Sequence, residues 1–172
     1  MYRRSFAALA LPALTCTAAA QDGWVEYRPA NAGFRVEFPG RPRVSNRETS
    51  TRFGRAHLTA ASYEGDDGDK FYANFTVYPP AAAAEDASKL LDSLKLARTV
   101  KGKIRTERRF VVSGLPAQRH MIDWQAGTRP VIVALDVIRT AAVYSIFCIV
   151  EYGREDGPVV TRFLNSFAIQ PS

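Results

Sequence analysis

Two consecutive apolar runs near the C-terminus constrain the fold more than any other part of the sequence. Residues 131–138 and 143–150 are apolar at both odd and even positions, and only a short connection near Thr140 and Ala141 separates them. A strand with one face in water alternates polar and apolar side chains, whereas a strand covered on both faces does not. The two runs therefore predict neighbouring strands in the middle of a sheet that is covered on both faces.

The stretch 34–38 carries an alternating strand pattern, since charged residues separate Phe34, Val36 and Phe38. Pro39 and Pro42 follow it, and proline cannot donate a hydrogen bond to a neighbouring strand. The pattern predicts a half-buried strand that ends at residue 38 and lies at or near an edge of the sheet.

Further segments predict the rest of the sheet, with turn-forming residues between them. They are residues 55–64, 71–78, 103–112 and 117–125. Together with residues 34–38 and strands at about 130–139 and 142–151, they indicate one antiparallel sheet of about six or seven strands.

Two segments show helical spacing instead. Residues 81–100 place Leu90, Leu91 and Leu94 on one stripe, and a second helix is predicted to start at residues 156–158. The stripe of the second helix consists of Val160, Phe163, Leu164 and Phe167. The two amphipathic helices are expected to cover the sheet, so the predicted fold class is α+β, with two helices packed against one antiparallel sheet.

The N-terminus is typical of a secretory signal peptide. Arg3 and Arg4 precede an apolar stretch at 6–14, and an A-x-A cleavage pattern at 18–20 ends before Gln21. The apolar stretch is shorter than the roughly 20 residues that span a bilayer. We therefore expect residues 1–20 to be removed and the protein to be periplasmic or secreted. A lipid anchor on Cys16 is the alternative, although the preceding residues fit that pattern poorly.

Residues 21–172 are then predicted to form a single domain of about 150 residues, long enough for a substantial core. Cleavage would remove two of the 23 Lys and Arg residues and none of the 17 Asp and Glu residues, so the formal net charge would fall from +6 to +4. This mild positive charge specifies no partner. No later segment predicts a transmembrane span, and nucleic acid is not an expected ligand of an exported protein.

The sequence contains no pattern for catalysis, metal binding or cofactor binding. Cleavage would leave Cys148 as the single thiol, and its apolar surroundings predict a small buried side chain rather than a reactive one. His120 and Asp123 are three apart in a predicted strand, so they are expected on opposite faces. We therefore predict no catalytic, metal or cofactor site, and no cofactor.

An acidic segment at 64–69 departs from the order of ligands in a calcium loop. Turn-forming residues dominate it, so the interpretation is a solvated hairpin tip.

Two groups of basic residues form the candidate binding surface. One follows the first predicted strand and the other follows the first helix. The candidates for an anion or partner patch are Arg41 and Arg43 in the first group, and Lys101, Lys103, Arg105 and Arg108 in the second, with Arg47 and Arg109 beside them. If the fold joins both groups, they could bind an anionic lipid headgroup, a polyanion or an acidic protein surface. The alternative is an ordinary solvated face.

The order of these elements resembles a known group of proteins. The stretch "GFRVEFPGRP" at 33–42, a tryptophan-bearing start at 24–27, one amphipathic helix followed by a meander, and "FLNSFAI" at 163–169 are similar to exported bacterial proteins of unknown function with the PsbP/Mog-like fold. The resemblance implies an antiparallel sheet with helices packed against it. Better-understood members are an extrinsic subunit of photosystem II and a Ran-binding nuclear transport factor. The resemblance supplies no catalytic residues.

Two functions follow as hypotheses. The first is an exported, non-catalytic binding or assembly module that acts on an unknown protein or envelope partner. The second is a small-molecule-binding protein or small enzyme with a pocket between the sheet and the helices. Convergent polar groups in a concave pocket would distinguish the two. The sequence does not indicate an oligomeric state.

Overall fold

The computed structural model describes residues 23–30, 32–100, 102–124 and 130–170. The predicted signal peptide, and with it the lipid-anchor alternative, lies outside these residues. The strands are β1 (Val25–Tyr27), β2 (Phe34–Phe38), β3 (Arg43–Thr51), β4 (Gly54–Glu64), β5 (Lys70–Val77), β6 (Gly102–Val112), β7 (Leu115–Trp124), β8 (Val131–Arg139), β9 (Ala142–Val150) and β10 (Ala168–Ile169). The helices are α1 (Ala87–Thr99) and α2 (Pro158–Ser166), and a short 3-10 helix, Pro80–Ala84, precedes α1.

Seven strands form the main sheet in the order β3-β4-β5-β9-β8-β7-β6, with every neighbouring pair antiparallel. The two apolar runs are β8 and β9, at the middle of this sheet, and residues 131–138 are all buried. The prediction of covered central strands is confirmed, and so is the α+β class.

The protein has three layers. A three-stranded sheet, in the order β1-β2-β10, packs with α2 on one face of the main sheet, where Phe38, Phe163 and Tyr144 belong to the largest apolar cluster. Helix α1 covers part of the other face, where Leu90 and Leu91 contact β8 and β9. Within the described ranges, the structure contains no helix of the length and apolarity needed to cross a membrane.

Helix α1 begins later than the sequence pattern predicted. The carboxylate of Asp86 accepts a hydrogen bond from the backbone N–H of Ser88 at 2.7 Å, and this N-terminal cap starts the helix at Ala87. The preceding residues form the 3-10 helix after two prolines. The chain then enters β6 at Gly102, where a Cβ atom would lie 2.6 Å from Ile122 Cγ2, so a side chain would not fit this approach.

One prediction about the strands is wrong, and three strands were not predicted. Strand β2 is the central strand of the smaller sheet and not an edge strand, because Pro39 and Pro42 lie beyond its last residue and leave both of its edges able to pair. Strand β3 was not predicted, because Val44 is its one apolar residue and is exposed. Strands β1 and β10, of three and two residues, are too short to show a period.

Candidate functional site

A row of polar side chains crosses the face of the main sheet beneath α1. Asn74 on β5, Ser145 on β9, Asp136 on β8 and Gln118 on β7 are successive cross-strand neighbours. All except Asn74 are buried. Buried polar groups are costly unless they are hydrogen-bonded, so this row needs partners from α1 or from itself.

Arg98, in the last turn of α1, supplies the main partner. Its guanidinium forms a two-point ion pair with the Asp136 carboxylate, in which Nη2 lies 2.9 Å from Oδ1. The Ser145 hydroxyl donates to the same carboxylate at 2.6 Å. A buried carboxylate is thereby compensated by one charge and one neutral donor, and the C-terminal end of α1 is fixed to the centre of the sheet.

His120 adjoins this pair and is only 1% exposed. Burial lowers its pKa from 6.5 to about 4, opposed by Asp136 and reinforced by Arg98. The imidazole is therefore neutral at pH 7, and its Nε2 lies 3.2 Å from Arg98 Nη1 and accepts a hydrogen bond. Its Nδ1 is 3.9 Å from Asp136 Oδ2 and has no hydrogen-bond partner among the described residues.

The residue types of a hydrolytic triad thus lie together without its geometry. The Ser145 hydroxyl donates to Asp136 and not to His120, whereas an activated serine must give its proton to a base. All three side chains are also buried beneath α1. Asp123 lies on the opposite face and pairs with Arg105, which confirms that His120 and Asp123 do not face each other. The arrangement suits a structural network.

We expect the protein to lose stability as the pH falls from 6.5 towards 4. The unfolded chain protonates His120 near the ordinary pKa of 6.5, while the folded protein resists protonation until about pH 4. The stabilisation is therefore complete above pH 6.5 and declines by up to about 1.4 kcal/mol for each pH unit below it. Urea unfolding of the wild type and of His120→Gln at several pH values measures the contribution of His120 to the pH dependence of the free energy of unfolding. Identical pH dependence in the two proteins would show that His120 does not titrate in this way.

Cys148 is a buried apolar side chain, as predicted. It is fully buried in the main core, and burial raises the pKa of its thiol to about 12. A thiol in this environment is a poor nucleophile. No group of three or more His, Cys, Asp or Glu side chains in the described ranges is arranged to hold a metal ion.

The acidic turn between β4 and β5 is not simply a solvated tip, which corrects the sequence interpretation. Arg154, in the loop after β9, pairs with Asp67 and with Asp69, the latter at 3.0 Å. Asp69 is buried, and this burial is the main cause that raises its pKa. The turn therefore joins β4 and β5 to the loop that leads into α2.

The two groups of basic candidates lie at opposite edges of the main sheet. Arg43 begins β3 at one edge and Arg41 precedes it, whereas Lys103, Arg105 and Arg108 lie on β6 at the other edge. Five strands separate the two edges, a distance of roughly 29 Å at about 4.8 Å per strand spacing. Lys101 lies outside the described residues. The fold does not bring the two groups together.

The group on β6 is partly engaged within the molecule. The register of β6 shifts between Ile104 and Thr106, and Arg105 at this irregularity pairs with both Asp123 and Glu155. These two carboxylates raise its pKa, so Arg105 is a fully charged structural residue.

The group at β3 lines a cavity of about 440 Å³, which we call the arginine cavity. Its lining residues are Arg41, Arg43, Ser62, Tyr63, Glu64 and Tyr72. Gly40 packs against the ring of Tyr63, since a Cβ atom there would lie 2.4 Å from Tyr63 Cε2. The Glu64 carboxylate is 3.1 Å from Lys70. Among the described residues, neither Arg41 nor Arg43 has an ion-pair partner, which leaves two uncompensated positive charges at a concave surface.

A second, more apolar cavity of about 300 Å³ lies between α1, the sheet and the turn that joins β3 to β4. Phe53, Tyr78, Leu90, Leu94 and Val143 form its apolar wall. The sequence predicted a pocket of this kind only as an alternative. Neither cavity could be located from the sequence, because cross-strand pairing brings distant residues such as Arg43, Ser62 and Tyr72 together.

The fold of this chain is similar to that of a solved structure. The chain is similar to cyanobacterial PsbP (CyanoP) from Synechocystis sp. PCC 6803, with a TM-score of 0.58 and 9% sequence identity over 90% of this chain and 97% of that chain. The chain has a PsbP-like fold. At this identity the similarity concerns the fold and not the activity.

A protein of unknown function from Pseudomonas aeruginosa, PA94, is also similar, with a TM-score of 0.46 and 15% identity over 87% of this chain and 99% of that chain. No family model matches the sequence, and no curated protein matches it.

Proposed function

We propose that the protein is an exported, non-catalytic binding module that holds an acidic segment of a protein partner at the arginine cavity. The observation that carries this proposal is the pair Arg41 and Arg43, which line a concave surface and have no carboxylate partner among the described residues. Arginine matches the planar geometry of carboxylates and binds them through two hydrogen bonds.

The contrast with other arginines of the chain supports this assignment. The guanidinium groups of Arg98, Arg105 and Arg154 each form ion pairs with one or two carboxylates of the same chain. The arginine cavity also holds the carboxylate of Glu64, which Lys70 compensates, so the charge of Arg41 and Arg43 remains available. The hydroxyl of Ser62 and the ring of Tyr72 are suitable neighbours for a bound carboxylate.

Export is supported by the signal-peptide pattern at residues 1–20. The non-catalytic part of the proposal is supported by the geometry beneath α1, where the Ser145 hydroxyl is committed to Asp136 and α1 covers the cluster.

We expect the double substitution Arg41→Glu with Arg43→Glu to abolish capture of an acidic protein from envelope extract at low salt. Both changes reverse a charge at an exposed or half-exposed position, so the fold should persist while carboxylate binding does not. The matched control is Lys103→Glu with Arg108→Glu, which changes the net charge equally at the other edge of the sheet. Equal loss in both double variants would indicate non-specific attraction and contradict the proposal.

The apolar cavity favours a second candidate function, the binding of a small apolar molecule. Ala97 is exposed at the mouth of this cavity, so Ala97→Trp would obstruct it without disturbing the core. Binding of a small apolar fluorescent probe that survives the arginine reversals and fails in Ala97→Trp would favour this second function.

A further inference from the structure

The outer edge of β3 is an open strand edge. Strand β3 ends the sheet, its residues 43–50 are all exposed, and no described segment pairs with its outer side. Nine consecutive residues pair with β4 in unbroken register, and none of the nine is proline. Such an edge offers a regular series of unpaired backbone N–H and C=O groups, which natural proteins usually block or interrupt.

The opposite edge of the sheet is built differently. Strand β6 carries a register shift between Ile104 and Thr106, and the side chain of Glu107 is bound by Lys95 of α1. An irregular edge of this kind resists the addition of a further strand. The contrast singles out β3 as the edge that is able to pair.

The charge on β3 defines the chemistry of a strand that could pair there. Arg43 and Arg47 are four residues apart, so their side chains lie on the same face as the arginine cavity. Neither arginine forms an ion pair within the described part of the chain. Glu48 is compensated by Arg55, whose Nη1 lies 3.2 Å from the carboxylate. The uncompensated charge along β3 is therefore positive.

We infer that an extended acidic segment of the partner adds to β3 as an eighth, antiparallel strand of the main sheet. This inference rests on the proposed function and specifies how the partner is held. Backbone hydrogen bonds to β3 would supply the pairing, and carboxylates opposite the arginines would supply the selectivity. The antiparallel direction follows the rest of the sheet, in which all neighbouring strands are antiparallel.

A second copy of the chain is disfavoured at this edge in the register that pairs β3 along its full length. If two copies of β3 paired antiparallel about their common centre, Arg47 of one would face Arg47 of the other. Like charges directly opposite each other in a sheet are destabilising. An acidic segment removes this repulsion and adds two cross-strand attractions.

The register of an antiparallel pair predicts the sequence of the bound segment. Residues opposite Arg47 and Arg43 are four apart in the partner, and both should be acidic. The residue just before the second acid lies opposite Val44, which is 52% exposed, and should be apolar. The residue before the first acid lies opposite Glu48 and should be basic or neutral. A suitable probe is the peptide Lys-Glu-Thr-Thr-Val-Glu-Thr with a fluorescent label.

The test measures binding of this peptide by fluorescence anisotropy to the wild type and to Arg43→Glu with Arg47→Glu. We expect the double variant to weaken binding by about tenfold or more, since two attractive pairs become repulsive. A peptide with both glutamates replaced by lysine should bind the double variant and not the wild type. This exchange of preference would show that the variant remains folded. Lys103→Glu with Arg108→Glu serves as the control and should bind the original peptide normally.

Two N-methylated peptides test the strand pairing itself. In an antiparallel ladder, alternate residues direct their N–H groups towards the neighbouring strand. Methylation of one alternate set of amides should abolish binding, while methylation of the other set should leave it within about twofold, since only one set of N–H groups faces β3.

Normal binding by both methylated peptides would overturn the inference and leave the proposed carboxylate binding intact. No binding of the unmethylated peptide at about 1 mM would also overturn it. Loss of both peptide binding and charge-dependent partner capture would refute the proposed function as well.

Discussion

Asp136→Ala is expected to lower the free energy of unfolding by about 3–5 kcal/mol, because it removes one partner of a buried ion pair and leaves the other. The Asp136 carboxylate is 1% exposed and binds both Arg98 and Ser145. Without it, the Arg98 guanidinium would lie beneath α1 against the neutral His120 with no compensating charge. Urea denaturation near pH 7.5, where His120 is neutral in both states, gives the change directly.

The control for this prediction is Asp92→Ala on the outer side of α1. Asp92 pairs with Lys95 and with Arg109, but its side chain is half exposed and the pairs are screened by solvent, so the loss should be much smaller than that of Asp136→Ala. If Asp136→Ala cost no more than Asp92→Ala, the Arg98–Asp136 pair would not be fixing α1 to the sheet.

Phe163→Ala is expected to cost about 3–5 kcal/mol, the usual range for removing a large buried aromatic side chain. The ring is fully buried on α2, and its centroid lies 5.2 Å from that of Phe38 and 5.1 Å from that of Phe71. It therefore joins the smaller sheet, α2 and the main sheet at one point. Chemical denaturation or calorimetry provides the measurement.

Val159→Ala on the same helix separates core packing from helix propensity. Val159 is 39% exposed, so its truncation should change the stability by no more than about 0.5 kcal/mol. Comparable losses at residues 159 and 163 would mean that α2 is not packed as described.

The sequence predicted the central part of the fold because burial there is complete. Strands β8 and β9 are covered on both faces, and such strands carry apolar residues at both odd and even positions, here interrupted only by Asp136 and Ser145. The stripe at Val160, Phe163 and Leu164 identified α2 for the related reason that one side of it is buried.

The parts that could not be predicted are those with little burial. Strand β3 is held by backbone pairing with β4. Its residues, such as Ser45 and Thr49, are exposed on both faces, so polar and apolar side chains do not alternate along it. Helix α1 starts where the side chain of Asp86 caps it. The spacing of apolar residues, from which the helix was predicted, does not reveal such a local hydrogen bond.

The candidate site was predicted only in its residue types. The sequence indicated that Arg41 and Arg43 could bind an anion, but it grouped them with Lys103 and Arg105, which lie at the far edge of the sheet. Strand order is a long-range property that the spacing of charges along the chain does not contain. The pairing of Arg105 with Asp123 and Glu155 was equally invisible, since Glu155 lies on a distant loop.

The most direct test of the binding-module account is site-specific photocrosslinking in the native envelope. A photoreactive residue at Ser45, on the exposed face of β3, is compared with one at Val111, which is exposed on β6 at the other edge. The account predicts that position 45 captures a protein through an acidic extended segment, that position 111 does not, and that Arg41→Glu with Arg43→Glu abolishes the capture. Crosslinks that are equally frequent at both positions, or that persist unchanged in the double variant, would contradict it.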